Sequence, residues 1–263
     1  MAEYKKLKYY FDKELAKLIS GKIEQVYPEF QSKKFVKTIA DSVDDMELKA
    51  RVEVITDALH HYLPADYKKG AGILLQILGP ENENETGMFK EGYWLMPVAF
   101  FVEKYGCDDF KTSINAIYEI TKRHTGEYAV RPFLDKYPQK MLSIMKDWSK
   151  DKNFHVRRLA SEGVRPRLPW AKKMEPLIAD PTPILPILEN LKEDESLFVR
   201  KSVANNLNDI LKDNYTIAMR VLKKWSKRKS SETKWIIKHA LRKEIKKGNP
   251  QALQLIDKLK SSN

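Results

Sequence analysis

Three stretches of the chain follow one plan: NFHVRRLASEG at residues 153–163, SLFVRKSVANNL at 196–207 and TKWIIKHALRKEI at 233–245. Each begins after an apolar helical segment and a short polar link. Val156 aligns with Val199 and then with Ile236, at intervals of 43 and 37 residues. A helix pair that recurs at such an interval is typical of stacked two-helix units, in which neighbouring pairs bury a shared core.

The repeat predicts an all-α protein, an α-solenoid built of HEAT-like helical repeats. We expect a single HEAT-like domain over residues 1–263, with N-terminal helices over 1–105 and the repeat region over 106–263. Outside the repeats, apolar residues also recur at helical spacing, in runs that end before Pro28 and Pro64. Further helices are expected at about 89–105, at 108–124 with Asp108 or Asp109 as cap, and at 127–136.

The charge of the chain is strongly polarised. The 48 Lys and Arg residues exceed the 36 Asp and Glu residues, for a net charge of +12, and residues 217–263 alone carry fourteen Lys and Arg against three acids. Such a basic surface is typical of proteins that bind polyanions, because neutralising phosphates releases condensed counterions. Under the repeat alignment Arg158, Lys201 and Lys238 are equivalent, so we expect them to form a basic track suited to a phosphate backbone. Solvated helix faces would give the same pattern.

Several functional classes are not supported by the sequence. A hydrophobic content of 42% argues against intrinsic disorder. No run of about 18 apolar residues is present, and the first residues lack a secretion signal, so we expect a cytoplasmic protein without membrane partners. Cys107 is the single cysteine, which excludes an intramolecular disulfide or a cysteine-based zinc site. The sequence has no glycine-rich phosphate loop, no HExxH motif and no nucleophile elbow, so it gives little support for a small-molecule enzyme.

Four strings are more specific: HTGEYAVRPFL (124–134), WSKDKNFHVRRLASEGVRPRLPWA (148–171), LPILENLKEDESLFVRKSVANNLNDILKD (185–213) and WIIKHALRK (235–243). They resemble the DNA alkylation repair glycosylases of the AlkC type, relatives of the AlkD-type enzymes that are built on HEAT-like repeats. The resemblance is densest over about 120–245. It implies excision of cationic alkylated bases, 3-methyladenine and 3-methylcytosine, from double-stranded DNA, without a metal or nucleotide cofactor and without base flipping.

The chemistry of such a reaction calls for carboxylates. N3 alkylation makes the base cationic, so the base leaves as a neutral molecule, and the enzyme has to stabilise the oxocarbenium-like sugar and place a water at C1′. The resemblance implies that Glu127, Glu162 and Asp209 are these acids. Their surroundings alone leave other interpretations open: a helix-start acid for Glu127, an i,i+4 pair with Arg158 for Glu162, and a solvated or loop-anchoring acid for Asp209.

The proline-rich segment RPRLPWA contains the residues expected to meet DNA. The resemblance places Trp170 against the DNA near the lesion, where cation–π attraction would favour a charged base, although a tryptophan is more often buried in a core. It also implies that Arg158 grips a phosphate by the damaged nucleotide. Arg165 and Arg167 flank Trp170 and are predicted to make further DNA contacts. His155 is predicted to be an ordinary polar helix residue.

The main alternative is a non-catalytic HEAT-repeat module that binds DNA or an acidic protein. Both hypotheses predict the basic track, but only an enzyme requires acids embedded in it. We expect a monomer, because a protein that embraces a duplex on one face needs no second copy. The basic helices at the end of the chain are expected to add to the grip on DNA.

Overall fold

All regular structure in the described part of the protein is helical. The computed structural model describes residues 5–87, 90 and 92–261. The chain divides into two compact units, Met1–Lys136 and Tyr137–Asn263. The predicted all-α class is confirmed, and the single domain over 1–263 stays a prediction. No helix among the described residues is both long and apolar enough to cross a membrane.

The first unit packs its helices around buried aromatic side chains, among them Phe35, Phe101 and Phe133. Helix α1 contacts α2, α3 contacts α5, and α4 contacts α6. Short 3₁₀ turns at Leu7–Tyr10 and Tyr93–Leu95 precede α1 and α5. The α-helices described in this unit are α1 (Lys13–Glu24), α2 (Ser32–Ala40), α3 (Leu48–Tyr62), α4 (Tyr67–Gln76), α5 (Met96–Tyr105), α6 (Phe110–Thr121) and α7 (Arg131–Lys136).

Helix boundaries in this unit differ from the predicted ones for local reasons. Asp109 rather than Asp108 caps α6, since its side chain accepts a hydrogen bond from the Thr112 amide. The helix predicted from 89 begins as α-helix only at Met96, and residues 89 and 91 lie outside the described residues. The helix predicted over 127–136 begins at Arg131, and a turn occupies the residues before it.

The second unit contains the helix pairs that the repeat predicts. Its described α-helices are α8 (Pro138–Trp148), α9 (Phe154–Glu162), α10 (Glu175–Ala179), α11 (Leu185–Asn190), α12 (Leu197–Asp213), α13 (Tyr215–Trp225), α14 (Ser231–Ala240), α15 (Arg242–Lys246) and α16 (Pro250–Ser261). A 3₁₀ turn at Thr182–Ile184 leads into α11. The three pairs are α8 with α9, α11 with α12, and α13 with α14.

The second helices of the three pairs pack side by side, with α12 in contact with both α9 and α14. Val156, Val199 and Ile236, which the alignment makes equivalent, are all completely buried. A β-branched residue at the same position of each repeat thus faces the shared core, as stacked repeats require. Sites on α9 and α12 are therefore held by a continuous apolar interior.

Candidate active site

Two of the three predicted acids lie in the second unit and share one arginine. Glu162 is the last residue of α9, and Asp209 lies within α12. Nη1 of Arg165 donates to Oε1 of Glu162 at 2.7 Å, and Nε of Arg165 donates to Oδ2 of Asp209 at 2.9 Å. Nη2 of Arg165 lies 2.9 Å from the same Asp209 oxygen. One guanidinium therefore binds a carboxylate from each of two successive repeats.

The remaining oxygen of each carboxylate also has a donor. Oγ of Ser202 donates to Oε2 of Glu162 at 2.6 Å, and Nζ of Lys212 donates to Oδ1 of Asp209 at 2.8 Å. Each carboxylate is thereby held from both sides, which restricts its rotation about the bond to its chain. We refer to Glu162, Arg165, Ser202, Asp209 and Lys212 together as the carboxylate cluster.

Four members of the carboxylate cluster are buried, with Glu162 6%, Arg165 8%, Ser202 2% and Asp209 2% exposed, and Lys212 reaches in from the surface. Buried charges persist only when they are paired and hydrogen-bonded, as these are. Burial acts to raise the pKa of the Glu162 carboxyl, but the charges of Arg158 and Arg165, with hydrogen bonds from Ser202 and Arg165, lower it below its ordinary value. Glu162 is therefore ionised at neutral pH.

Ser202 and Lys212 were not predicted as site residues, although the sequence holds a signal for each. The repeat alignment puts Ser202 at the position that Leu159, a fully buried core residue, has in the preceding repeat. A hydroxyl at a core position needs a buried partner, and the partner is an acid. Lys212 follows Asp209 by three residues, a spacing that brings two side chains together on a helix.

The alignment also places Glu162, Asn205 and Arg242 at equivalent positions of the three repeats. Nη2 of Arg242 donates to Oδ1 of Asn205 at 2.8 Å. This hydrogen bond joins the second and third repeats at the repeat position that Glu162 occupies in the first. Only the first repeat has an acid at this position. The charge therefore changes from negative to neutral to positive along the row.

Trp170, five residues after Arg165, is the most unusual residue of the loop that follows α9. Its side chain is 62% exposed, which excludes the alternative of a core tryptophan. It has φ of +65°, and it is the one non-glycine residue with positive φ in the part of the chain that the structure describes. A bulky residue in this left-handed region costs about 1–2 kcal/mol relative to a right-handed one. Strain of this kind persists where the surroundings impose it, and it concentrates at functional sites.

The loop that carries Trp170 is tied to α12 at two points. Arg165 binds Asp209, and Arg167 binds both oxygens of Asp213, with Nε at 2.6 Å and Nη2 at 2.7 Å. Asp209 and Asp213 are one helical turn apart on the same face of α12. The two arginines, both predicted as DNA contacts, are thus engaged with carboxylates, and their contact with DNA stays a prediction.

Glu127 lies in the first unit, in the turn that precedes α7. The prediction that it occupies the first turn of a helix is wrong, because α7 begins only at Arg131. Glu127 is 3% exposed, and its Oε2 accepts a hydrogen bond from Oγ1 of Thr125 at 2.9 Å. The same Thr125 oxygen accepts the amide N–H of Glu127 at 3.3 Å. A local turn therefore fixes this carboxylate.

The three cations of the predicted basic track differ in how exposed they are. Arg158 is half-buried, and its guanidinium lies 4.6 Å from the centre of the Phe198 ring on the next repeat. Lys201 and Lys238 are exposed, on α12 and α14. These two helices pack directly against each other, so the three cations lie on adjacent elements. The track thus begins beside Glu162 and continues as solvent-exposed lysines.

Chemically, the second unit offers two buried, fully hydrogen-bonded carboxylates beside an exposed indole and a series of cations. Among residues 5–87, 90 and 92–261, no group of three or more His, Cys, Asp and Glu side chains is arranged to hold a metal ion. The side chains themselves can stabilise positive charge on a bound molecule, accept a proton from water and attract phosphates.

The fold and the site define a class: a helical-repeat protein with a buried acidic centre next to an exposed aromatic side chain. Residues 124–243 match the family model described as "DNA alkylation repair enzyme". The uncharacterized protein YhaZ of Bacillus subtilis (strain 168) is 42% identical over 250 residues, which span 95% of this chain and 67% of that protein. The chain belongs to the DNA alkylation repair enzyme family.

A solved structure supports the same assignment. The Pseudomonas fluorescens alkylpurine DNA glycosylase AlkC, bound to DNA containing an abasic site analog, matches with a TM-score of 0.88 and 37% identity. The match covers 97% of this chain and 69% of that one. The resemblance to AlkC-type proteins and the predicted helical-repeat fold are both confirmed.

Proposed function

We propose that the protein is a monofunctional DNA glycosylase that hydrolyses the N-glycosidic bond of cationic alkylated bases, 3-methyladenine and 3-methylcytosine, in double-stranded DNA. The observation that carries this proposal is the pair of buried acids bridged by Arg165, whose loop also carries the exposed and strained Trp170. A module that only binds DNA has no use for buried negative charge near its cations, because that charge repels phosphates.

In this reaction the bond between C1′ and the alkylated base breaks, and its electron pair leaves with the base. The base departs neutral because alkylation had already made it cationic. Glu127, Glu162 and Asp209 stabilise the positive charge that develops on the sugar, and one carboxylate accepts the proton of the water that adds to C1′. The products are the free base and an abasic site.

Trp170 and the basic track supply recognition. The exposed face of the indole attracts a cationic base by about 0.5–2 kcal/mol, which favours the lesion over neutral bases. Arg158, Lys201 and Lys238 bind phosphates and position the duplex. The lesion stays stacked in the helix during the reaction, and one copy of the protein is sufficient.

The test is to incubate the protein, in excess, with methylated duplex DNA and to measure released 3-methyladenine and 3-methylcytosine by chromatography and mass spectrometry. We expect both bases to be released by the wild type, and release to be lost in a Glu127→Gln, Asp209→Asn double variant. No release by the wild type, with DNA binding intact, would favour the non-catalytic module. Full release by the double variant would overturn the assignment of the acids.

A further inference from the structure

Arg165 is a buried cation held by two acids. All three nitrogens of its guanidinium lie within 2.9 Å of a carboxylate oxygen, two on Asp209 and one on Glu162. By contrast, Lys201 and Lys238 are exposed to solvent. A buried guanidinium with each nitrogen against a carboxylate oxygen is poorly placed to bind a phosphate.

We propose that Arg165 is a positioning residue: it fixes the Glu162 and Asp209 carboxylates relative to each other and to the Trp170 loop, and it does not contact DNA. This inference rests on the proposed function, because it assigns a role in that reaction. It replaces the expectation, drawn from the position of Arg165 next to Trp170 in the sequence, that this residue adds a DNA contact.

The first argument is geometric. Glu162 and Asp209 are on different helices of different repeats, and Arg165 is bonded to both. A planar guanidinium offers donors in fixed directions, so it sets the angle between two carboxylates as well as their separation. A lysine at the same place has a single flexible ammonium and cannot define that angle. Catalytic groups displaced by about 1 Å can lose roughly 100-fold in rate, so this geometry matters to the reaction.

The second argument concerns charge. The groups that face Glu162 are Arg158 on its own helix, Arg165 on the following loop and Ser202 on α12. Asp209 lies directly on the far side of Arg165. Without Arg165, Glu162 would lose a cationic partner and would face a second carboxylate with no cation between them. Like charges held close together resist ionisation, so one of the two acids would protonate more readily.

Two further cations lie near Arg165 and Asp209. Nζ of Lys212 donates to the other oxygen of Asp209. Burial lowers the pKa of the Arg242 guanidinium on α15, and the nearby charge of Arg165 lowers it further. Both cations would remain in an Arg165 variant. The effect on ionisation is therefore argued for Glu162, which loses the charge and the hydrogen bond of Arg165.

The third argument is the loop. Arg165 and Arg167 bind Asp209 and Asp213, one turn apart on α12, and Trp170 follows three residues after Arg167. Trp170 has a strained backbone with φ of +65°, a conformation that persists where the surroundings hold it. Arg165 is the inner of the two attachments. Its loss would release the strain and the indole together with the acids.

The experiment compares Arg165→Met and Arg165→Lys with Arg157→Met as matched control. Arg157 joins the same two repeats through Asp194 and lies outside the proposed machinery. Three quantities are measured: the single-turnover rate of 3-methyladenine release against pH, the affinity for a duplex with an abasic-site analog, and the dependence of that affinity on salt. Circular dichroism checks that each variant is folded.

We expect Arg165→Met to slow release by roughly 30- to 100-fold and Arg165→Lys by about 10-fold, because misplaced groups react slowly. The acid limb of the pH–rate profile should move to higher pH in Arg165→Met and stay in place in Arg157→Met. Affinity for the abasic-site duplex and its salt slope should stay near the wild-type values in both Arg165 variants. If Arg165→Met does not fold, the Arg165→Lys rate and salt slope carry the test.

Any of three results would overturn the inference while leaving the proposed function intact. The first is a salt slope reduced by about one in Arg165→Lys or Arg165→Met, the mark of a lost phosphate contact. The second is an Arg165→Lys rate equal to the wild type, and the third is an Arg165→Met pH profile that coincides with that of Arg157→Met. Failure of the proposed function is distinct, since the wild type itself would then release no base, and the positioning role would fall with it.

Discussion

Arg157 and Arg165 both join the first repeat of the second unit to the next, and they do so differently. Arg157 binds the two oxygens of Asp194, with Nε at 2.7 Å and Nη2 at 3.2 Å. Its Nη1 donates to the main-chain carbonyls of Asp151 and Lys152, both at 3.0 Å. Arg165 instead divides its donors between two acids. The first joint has one buried acid, Asp194, with the exposed Glu195 3.6 Å from Nη2 of Arg157. The second joint has one arginine between two buried acids.

We interpret this difference as a division of roles: the Arg157 joint holds the repeats together, and the Arg165 joint also prepares a site. The Arg157 joint is complete in itself, and its spare donors go to backbone carbonyls. The Arg165 joint holds two buried acids, and Lys212 and Arg158 supply further positive charge beside them. A joint that only linked repeats would need no second buried acid, because burying a charge is costly. We therefore assign the functional demand to the second buried acid, on the helix to which the Trp170 loop is tied.

The largest expected effect comes from neutralising the acids of the second joint. A Glu162→Gln, Asp209→Asn variant should reduce release of 3-methyladenine by about 1,000-fold or more, because both charge stabilisation and proton acceptance are lost. Asp194→Asn is the matched change at the first joint and should alter the rate only a few-fold. Single-turnover assays at pH 7 measure both. Equal losses in the two variants would mean that the joints do not differ in function.

Replacing Trp170 should separate activity from stability. Trp170→Gly removes the indole and places at φ of +65° the residue that adopts this conformation most easily. We expect release of cationic bases to fall by about 3- to 30-fold, from the loss of roughly 0.5–2 kcal/mol of cation–π attraction. The melting temperature should stay the same or rise, because the side chain is mostly exposed. A lower melting temperature would show that Trp170 serves packing, and unchanged release would remove it from lesion recognition.

The sequence predicts the helix pairs well, because their apolar residues recur at helical spacing and each pair must bury the same face. It predicts α2 poorly, since only Phe35 and Ile39 are fully buried in that nine-residue helix. The place of Glu127 is also missed, because the turn before α7 has no periodic pattern. The Arg165–Asp209 contact joins residues 44 apart through a proline-rich loop with a left-handed tryptophan. The spacing of residues in the sequence predicts neither the course of this loop nor the contact between Arg165 and Asp209.

The basic track should affect binding more than chemistry. A Lys201→Glu, Lys238→Glu variant should reduce the slope of log affinity against log salt by about two, as expected for two lost phosphate contacts at roughly 0.9 each. The matched control is Lys33→Glu, Lys34→Glu on α2, which changes two exposed lysines by the same charge. Binding of undamaged duplex DNA across a salt series tests both. Similar slopes in the two variants would indicate that only net charge matters.

The smallest expected effect is a pH dependence of the free energy of unfolding that arises from Glu162 in the second joint. Glu162→Gln should lower the free energy of unfolding at pH 7 by about 1–3 kcal/mol, the range for hydrogen bonds to charged groups. Since the folded protein lowers the pKa of Glu162, its carboxylate stabilises the fold above the unfolded value of about 4.3, and this contribution is lost as pH falls below it. The gap between wild type and variant should therefore be full at pH 7 and narrow below about pH 4.

Urea unfolding followed by tryptophan fluorescence suits this measurement, because Trp148, Trp170, Trp225 and Trp235 all lie in the second unit. Other carboxylates with lowered pKa values, such as Asp213 paired with Arg167, are present in both proteins and cancel in the difference. A gap that stays constant down to pH 3 would mean that Glu162 contributes through its shape and hydrogen bonds alone. The charge of Glu162 would then add nothing to stability. The second joint would no longer differ from the Arg157–Asp194 pair in having a second stabilising buried charge.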